Sequence, residues 1–313
     1  MQRIITLAGV LLIIQIGLVF YANTTGERYE AFSPGGTLFT FSPESVSSIT
    51  FTDGNEQQLA LTKENGSWQL AVKSALPADE SSVKQLLEKL AGLKESLAVA
   101  NSKEAARRFK VSKDLFERHV LVKQGNEIAA DIYIGTSPGI RHVHARVAGQ
   151  ESIMSLPLSS FDLSPTVENW INKKMLHVKE EDLQRITVAD YSLAKKDGKW
   201  LLNEVSENQK VNSEEIKQLV DKLTGLNIQT VLDEEDITGA VVDEPHLRYT
   251  LMLKNNEKRE YTFTKPDEEY YVLRVSGLDP YFKIGKWIVD DIAAITKDKL
   301  LEPDPAKEEN EGE

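Results

Sequence analysis

The chain has 313 residues, with 37 Lys and Arg against 49 Asp and Glu for a formal net charge of -12, and it contains no cysteine. That balance argues against nucleic acid as a partner, because such binding needs a basic footprint. The missing cysteine rules out a disulfide framework and a lipid-modified cysteine, and it is compatible with an exported protein.

In chain order, the first feature is Ile4 to Ala22, which carries no charge and has only Thr6 and Gln15 as strongly polar members. At about 1.5 Å per residue, such a helix matches the ~30 Å hydrocarbon core of a bilayer. The stretch is longer than the apolar part of a signal peptide, no small-x-small cleavage site follows it, and Phe20-Tyr21 fits an interfacial aromatic pair. We therefore expect residues 1–22 to be a retained membrane anchor. Arg3, the one fixed positive charge ahead of it, puts the short end in the cytoplasm and the acidic remainder outside. The expected address is the bacterial inner membrane, single-pass, with the C-terminal domain periplasmic or extracytoplasmic. Residues 23–45, with Ser33-Pro-Gly-Gly36, read as a juxtamembrane linker.

From residue 46 the alternating Val46, Ile49 and Phe51, then Leu59 and Leu61, predict short antiparallel strands. The turn Asn65-Gly66 leads into a further strand at Trp68. A helix capped by Asp79 follows, with Val83, Leu86, Leu87, Leu90 and Leu93 on one apolar face. Next come a short charged helix from Ser102 to Lys110 and strands at 119–123, 128–134, 141–147 and 152–156. A second series repeats this order with strands at 183–188, 191–194 and 200–203. Its helix, 213–226, is capped by Asn212, with Glu215 placed for a capping box, and strands at 248–254, 260–264 and 270–275 close the series.

The two series share markers in the same order. Asn65-Gly-Ser-Trp68 returns as Asp197-Gly-Lys-Trp200, Lys89-Leu-Ala-Gly-Leu93 as Lys222-Leu-Thr-Gly-Leu226, and Ala145-Arg-Val-Ala-Gly149 as Leu273-Arg-Val-Ser-Gly277. Asn172 to Leu176 has a looser echo in Thr296 to Leu301. The expected fold class is α+β: a tandem duplication of an antiparallel-sheet-plus-helix module behind one N-terminal transmembrane helix. The expected division is a first repeat over 46–177, a second over 178–302, each large enough for its own core, and a disordered acidic tail over 303–313.

These features resemble the family called domain of unknown function 4340. The resemblance is carried by the Gly-x-Trp hairpins at Trp68 and Trp200, the Lys-Leu-x-Gly-Leu helix ends, Val241-Val-Asp-Glu-Pro245 before a strand, Ile134-Gly135, and Tyr271-Val-Leu-Arg274. It extends over nearly all of residues 46–300. It departs at Phe109 to Asp114, which lacks the proline of the second series. The resemblance implies a bacterial, often membrane-anchored protein linked with gliding-motility-type ABC transporters and their auxiliary proteins, and it implies no reaction.

The most suggestive stretch for a site is Arg141-His-Val-His-Ala-Arg-Val147. Strand alternation puts His142, His144 and Arg146 on one polar face and Tyr270, Val272 and Arg274 on the matching face of the second series. Both faces are expected to be solvated or to lie between the repeats, which makes Arg146, Arg274, His142, His144 and Tyr270 the candidate partner-binding residues. Two histidines two apart, with only His119 as a third ligand, fall short of a zinc site. Trp68 and Trp200 are expected to be structural, anchoring sheet on helix. Ser81-Ser-Val-Lys84 matches a Ser-x-x-Lys pattern but sits in a helix first turn, and the second series has Glu214 in place of the serine. The chain is thus expected to be non-enzymatic, with no catalytic residues, no cofactor and no metal. It should act as a structural or accessory partner of an ABC-type transporter or envelope complex, contacting other membrane or envelope proteins. The alternative is a module that binds a solute or polysaccharide between the two repeats.

Overall fold

The computed structural model describes residues 35–302 except 73–74, 207–208, 233–236, 238–244 and 267, together with Leu12 and Gln15. The expected span Ile4 to Ala22 otherwise lies outside the described residues, as do residues 23–34 and the tail 303–313. No helix among the described residues is long and apolar enough to cross a membrane. Part of the expected linker is packed: Leu38 N–H donates to the Leu93 carbonyl at 2.8 Å, and Phe39 is buried.

The protein is mixed helix and sheet, built mostly of antiparallel strands. The first half runs through β1 (Ser48–Asp53), β2 (Gln58–Glu64), β3 (Ser67–Leu70), β4 (Leu76–Pro77), helix α1 (Glu80–Ala91) and β5 (Ala98–Ala100). Helix α2 (Lys103–Arg108), β6 (Val111–Ser112) and β7 (Leu115–Phe116) come next. They lead to β8 (Arg118–Gln124), β9 (Glu127–Ile134), β10 (Val143–Val147), β11 (Ile153–Leu156) and α3 (Val167–Trp170). The second half has β12 (Leu183–Val188), β13 (Tyr191–Lys196), β14 (Lys199–Leu202), α4 (Ser213–Thr224), β15 (Thr230–Leu232) and β16 (Leu247–Leu253). It ends with β17 (Lys258–Thr264), β18 (Tyr270–Val275), β19 (Tyr281–Gly285) and α5 (Lys286–Ala293).

The nine-stranded first sheet is ordered β4-β3-β2-β1-β8-β9-β10-β11-β5, and the eight-stranded second sheet β14-β13-β12-β16-β17-β18-β19-β15. The second order is the first without β4. Local chemistry explains the matching pieces. The β2–β3 and β13–β14 turns hold both central residues at positive φ: Asn65 at 51° and Gly66 at 87°, Asp197 at 51° and Gly198 at 78°. This is the hairpin conformation that Asn-Gly and Asp-Gly supply at least cost. Helix α1 begins where the Asp79 carboxylate accepts from Ser81 N and Ser82 N, and α4 where the Asn212 side chain accepts from Glu214 N and Glu215 N. The reciprocal half of the capping box expected from Glu215 is not made, because the Asn212 N–H already donates to the Leu300 carbonyl at 2.8 Å. Asp79 N–H does the same to the Trp170 carbonyl at 2.7 Å.

That pair of bonds corrects the looser echo drawn from sequence. The structural counterpart of the stretch ending at Leu301 is the one ending at Ile171, since Ala78 bridges Ile171 as Val211 bridges Leu301. Residues 172–176 instead begin the connector between the halves, and it bonds to both. Asn172 N–H reaches the Pro77 carbonyl (2.9 Å), Val178 N–H reaches Thr224 (2.9 Å), and the Lys173 carbonyl accepts from Ile228 (3.0 Å). Consistent with this, one buried cluster runs through both halves, from Phe39 and Trp68 to Tyr249 and Leu300, rather than a separate core in each. Another repeated contact joins Lys89 of α1 to Asp162, and Lys222 of α4 to Asp291 of α5 (2.9 Å).

Candidate functional site

The expected polar strand faces are the first test of the candidate residues. Register makes Arg146 and Arg274 equivalent: Arg146 lies opposite Tyr133 and Arg274 opposite Thr262, each one residue after a buried Ala145 or Leu273. Their surroundings differ. Arg146 is half-buried, donating from Nε to the Val111 carbonyl (2.7 Å) and from a terminal nitrogen to the Gln150 carbonyl (3.0 Å), with its guanidinium 5.0 Å from the Tyr133 ring centre. Arg274 is exposed and forms no ion pair with the described residues.

The face that alternation left to solvent is in fact covered in the first half. The α2–β7 segment folds back over β9, β10 and β11 and builds a small second core of Ala105, Ala106, Val111, Tyr133 and Ile153. His144 is consequently buried, stacked on Phe109 at 4.1 Å between ring centres, with Nδ1 donating to the Thr136 carbonyl at 3.0 Å. His142 lies outside β10 in an exposed turn, its Nδ1 3.3 Å from the Ile140 carbonyl oxygen. His119 pairs with Asp131 at 2.7 Å and stacks on Tyr133. These histidines do not converge, and no group of three or more potential metal ligands occurs among the described residues. In the second half Val272, at the position of His144, is buried beside Ile237, while Tyr270 is half-buried with the Lys283 ammonium 4.3 Å from its ring centre. The candidate set is therefore not one surface. A period-two pattern cannot reveal that a distant segment will close over a strand's polar face.

The two tryptophans occupy equivalent positions, Trp68 opposite Lys63 and Trp200 opposite Lys195. Trp68 is buried, with its backbone N–H donating to the Glu80 carboxylate at 2.7 Å. Trp200 is only partly buried and donates from Nε1 to Glu180 at 3.0 Å. Lys195 and Trp200 together hold the Glu180 carboxyl below the usual carboxylate range. Ser81 is spent on its own helix cap, its hydroxyl 2.5 Å from Asp79.

Where the connector meets the second sheet there is a cavity of about 720 Å³, lined by Pro77, Lys174 and Met175 on one side and by Lys258, Arg259 and Tyr261 on the other. Glu257 fixes Arg259 through a 2.5 Å bond from Nε, which raises the guanidinium's affinity for its proton and lowers the Glu257 carboxyl. Tyr261 is fully buried beside Arg259; its hydroxyl makes no well-formed hydrogen bond, and desolvation pushes its pKa up. With Glu257 offsetting Arg259, the exposed Lys174 and Lys258 leave this wall net cationic, which suits an anionic group. Sequence reasoning expected a strand over 260–264, which holds Tyr261 but stops short of Arg259, and it did not find the site, because the cavity exists only once the connector has docked.

The two antiparallel sheets, with their helices, form a mixed helix-and-sheet protein in which one buried cluster runs through both halves. The model of the family described as Domain of unknown function (DUF4340) matches residues 68–266. The chain belongs to that family. The matched stretch begins at the first hairpin tryptophan and ends after β17, so the family unit crosses the connector and takes in parts of both halves. No curated protein matches the chain, and no solved structure does.

Proposed function

We propose that this chain is a membrane-anchored extracytoplasmic protein, formed by tandem duplication, that serves without catalysis as an accessory partner of an ABC-type transporter or envelope complex. Residues 4–22 would supply the anchor, with the acidic two-half body on the outer face of a bacterial inner membrane. The observation that carries this reading is a pair of exposed aromatics, one in each half. Phe161 is 84% exposed and Trp287 72% exposed, and each lies on the segment that provides the aspartate for the Lys89 or Lys222 ion pair. Aromatic side chains are enriched where proteins dock.

Protease added to spheroplasts tests the topology. The reading predicts digestion of the body and a full-length chain that still begins ahead of residue 4. Protection of the body, or a mature chain starting near Asn23, would contradict it.

A second reading, a solute- or polysaccharide-binding module, is favoured by the cavity between connector and second sheet. Its wall, net cationic through Lys174 and Lys258, suits an acidic sugar. Arg259→Ala should weaken such binding at least tenfold while leaving the partner contacts of the first reading unchanged.

A further inference from the structure

The fold-back that buries His144 also encloses a cavity of about 500 Å³, bounded by α2, the β6–β7 turn and the β10–β11 turn. Its accessible lining is mostly carbon, although Ala106 is the one lining residue with a hydrocarbon side chain. The rest of that carbon therefore comes from backbone and from the stems of polar side chains, whose charged ends reach water. An apolar body can lie against such a wall.

The charges around it are not balanced. Lys103, Arg107, Lys113 and Arg146 stand against Asp114 and Glu151, a local excess of positive charge in a chain of net charge -12. Arg107 and Asp114 are paired with each other, which leaves Lys103, Lys113 and Arg146 against Glu151 alone. Arg146 is the fixed member of this group. Its Nε donates to the Val111 carbonyl, its Nη1 donates to the Gln150 carbonyl, and its guanidinium lies 5.0 Å from the Tyr133 ring centre, so its plane is set before anything binds. Both partners are neutral carbonyls, and the charge stays open to an anion. The remaining terminal nitrogen, Nη2, bonds no described residue and is not sealed from solvent. A guanidinium already held in place loses little freedom when a carboxylate docks on it. Arg274, at the matching register of the second sheet, is exposed and presents a hydrated cation instead.

We infer that this cavity binds a small organic acid, a carboxylate on an aromatic or aliphatic body. The carboxylate accepts from Arg146 Nη2, the body lies against the carbon lining, and Lys103 and Lys113 attract the anion to the mouth. The volume is in the range of small-molecule sites. The site is separate from the cavity beside β17 and does not depend on the membrane reading.

The probe is phenylacetate, compared with its neutral near-isostere phenylacetamide and with acetate, which lacks the body. Each is titrated onto the full-length chain and followed by saturation-transfer NMR. Phenylacetate should bind at millimolar concentration and each comparison probe at least about tenfold more weakly, since one lacks the charge-assisted bond and the other the apolar contact. Lys103→Glu with Lys113→Glu changes two exposed residues, so it should keep the wild-type melting temperature and weaken phenylacetate about tenfold. Arg146→Gln, which keeps a donor for the two carbonyls and removes the charge, should lose most of the preference for phenylacetate over phenylacetamide. No binding of phenylacetate to the wild-type chain, a preference unchanged in a folded Arg146→Gln protein, or an affinity unchanged in the double variant would each overturn the inference. So would binding that is lost in Arg259→Ala and kept in the variants of this site, which would put the acid in the cavity beside β17. If Arg146→Gln fails to fold, the double variant decides alone.

Discussion

Gly135 lies so close to the Phe109 carbonyl that a Cβ added there would come within 1.9 Å of the oxygen. The closeness has a purpose in the fold. Thr136 N–H donates to that carbonyl at 2.9 Å, and Gly135 N–H donates to the His144 carbonyl at 2.9 Å, so one tight crossing fastens the α2–β7 segment onto β9 and β10. Because the obstruction is backbone rather than a flexible side chain, Gly135→Ala is expected to cost about 4 kcal/mol or more in urea unfolding. Gly139→Ala, four residues on, meets nothing within 4 Å and should be within about 0.5 kcal/mol of wild type. Equal stabilities for the two variants would mean that the segment is not fastened there.

Trp68 and Trp200 separate equivalence of position from equivalence of energy. Trp68→Ala removes a buried indole and should cost about 3 to 5 kcal/mol. Trp200 is partly in water and its Nε1 bonds Glu180, so Trp200→Ala should cost less, of order 1 kcal/mol. Chemical denaturation of both variants reads this directly, and equal losses would contradict the burial difference.

Alkaline pH should unfold the second half's side of the core. Burial, with some help from Asp190, pushes the Tyr191 hydroxyl from 10.0 up to about 12, and burial raises Tyr249 and Tyr261 as well. A folded-state pKa above the unfolded value gives stability that is complete below the unfolded pKa and is lost as pH rises through the folded one. The melting temperature should thus hold steady to about pH 10 and fall between about pH 10 and 12. Tyr191→Phe, which gives up its bond to Ile295 at every pH, should begin lower and fall less steeply. A melting temperature flat through pH 12 would contradict these shifts.

Much of this fold is legible in the sequence because it is written in local chemistry. The Asn65-Gly66 and Asp197-Gly198 turns, the Asp79 and Asn212 caps and the apolar stripe from Val83 to Leu90 each report a conformation that their own few residues impose. β12 and β18 have the bounds that alternation predicts. What stayed hidden depends on distant partners. Strands β5 and β15 are only three residues long, and β19, although it alternates, runs into helix α5 without a break. The burial of His144 depends on Phe109, thirty-five residues earlier in the chain and on a fold-back that no strand pattern encodes. The cavity beside β17 is further still from local reading, because it needs the connector at 172–176 to dock.

The most direct measurement of the central claim, that the body is an accessory partner docking through its exposed aromatics, is photo-crosslinking in the native membrane. A benzoylphenylalanine is placed singly at Phe161, at Trp287, and at Glu127 on the exposed end of β9 as a control. The account predicts covalent adducts at 161 and 287 to subunits of one membrane or envelope complex, and none at 127. Adducts absent from both aromatic positions, or identical to those at 127, would contradict it.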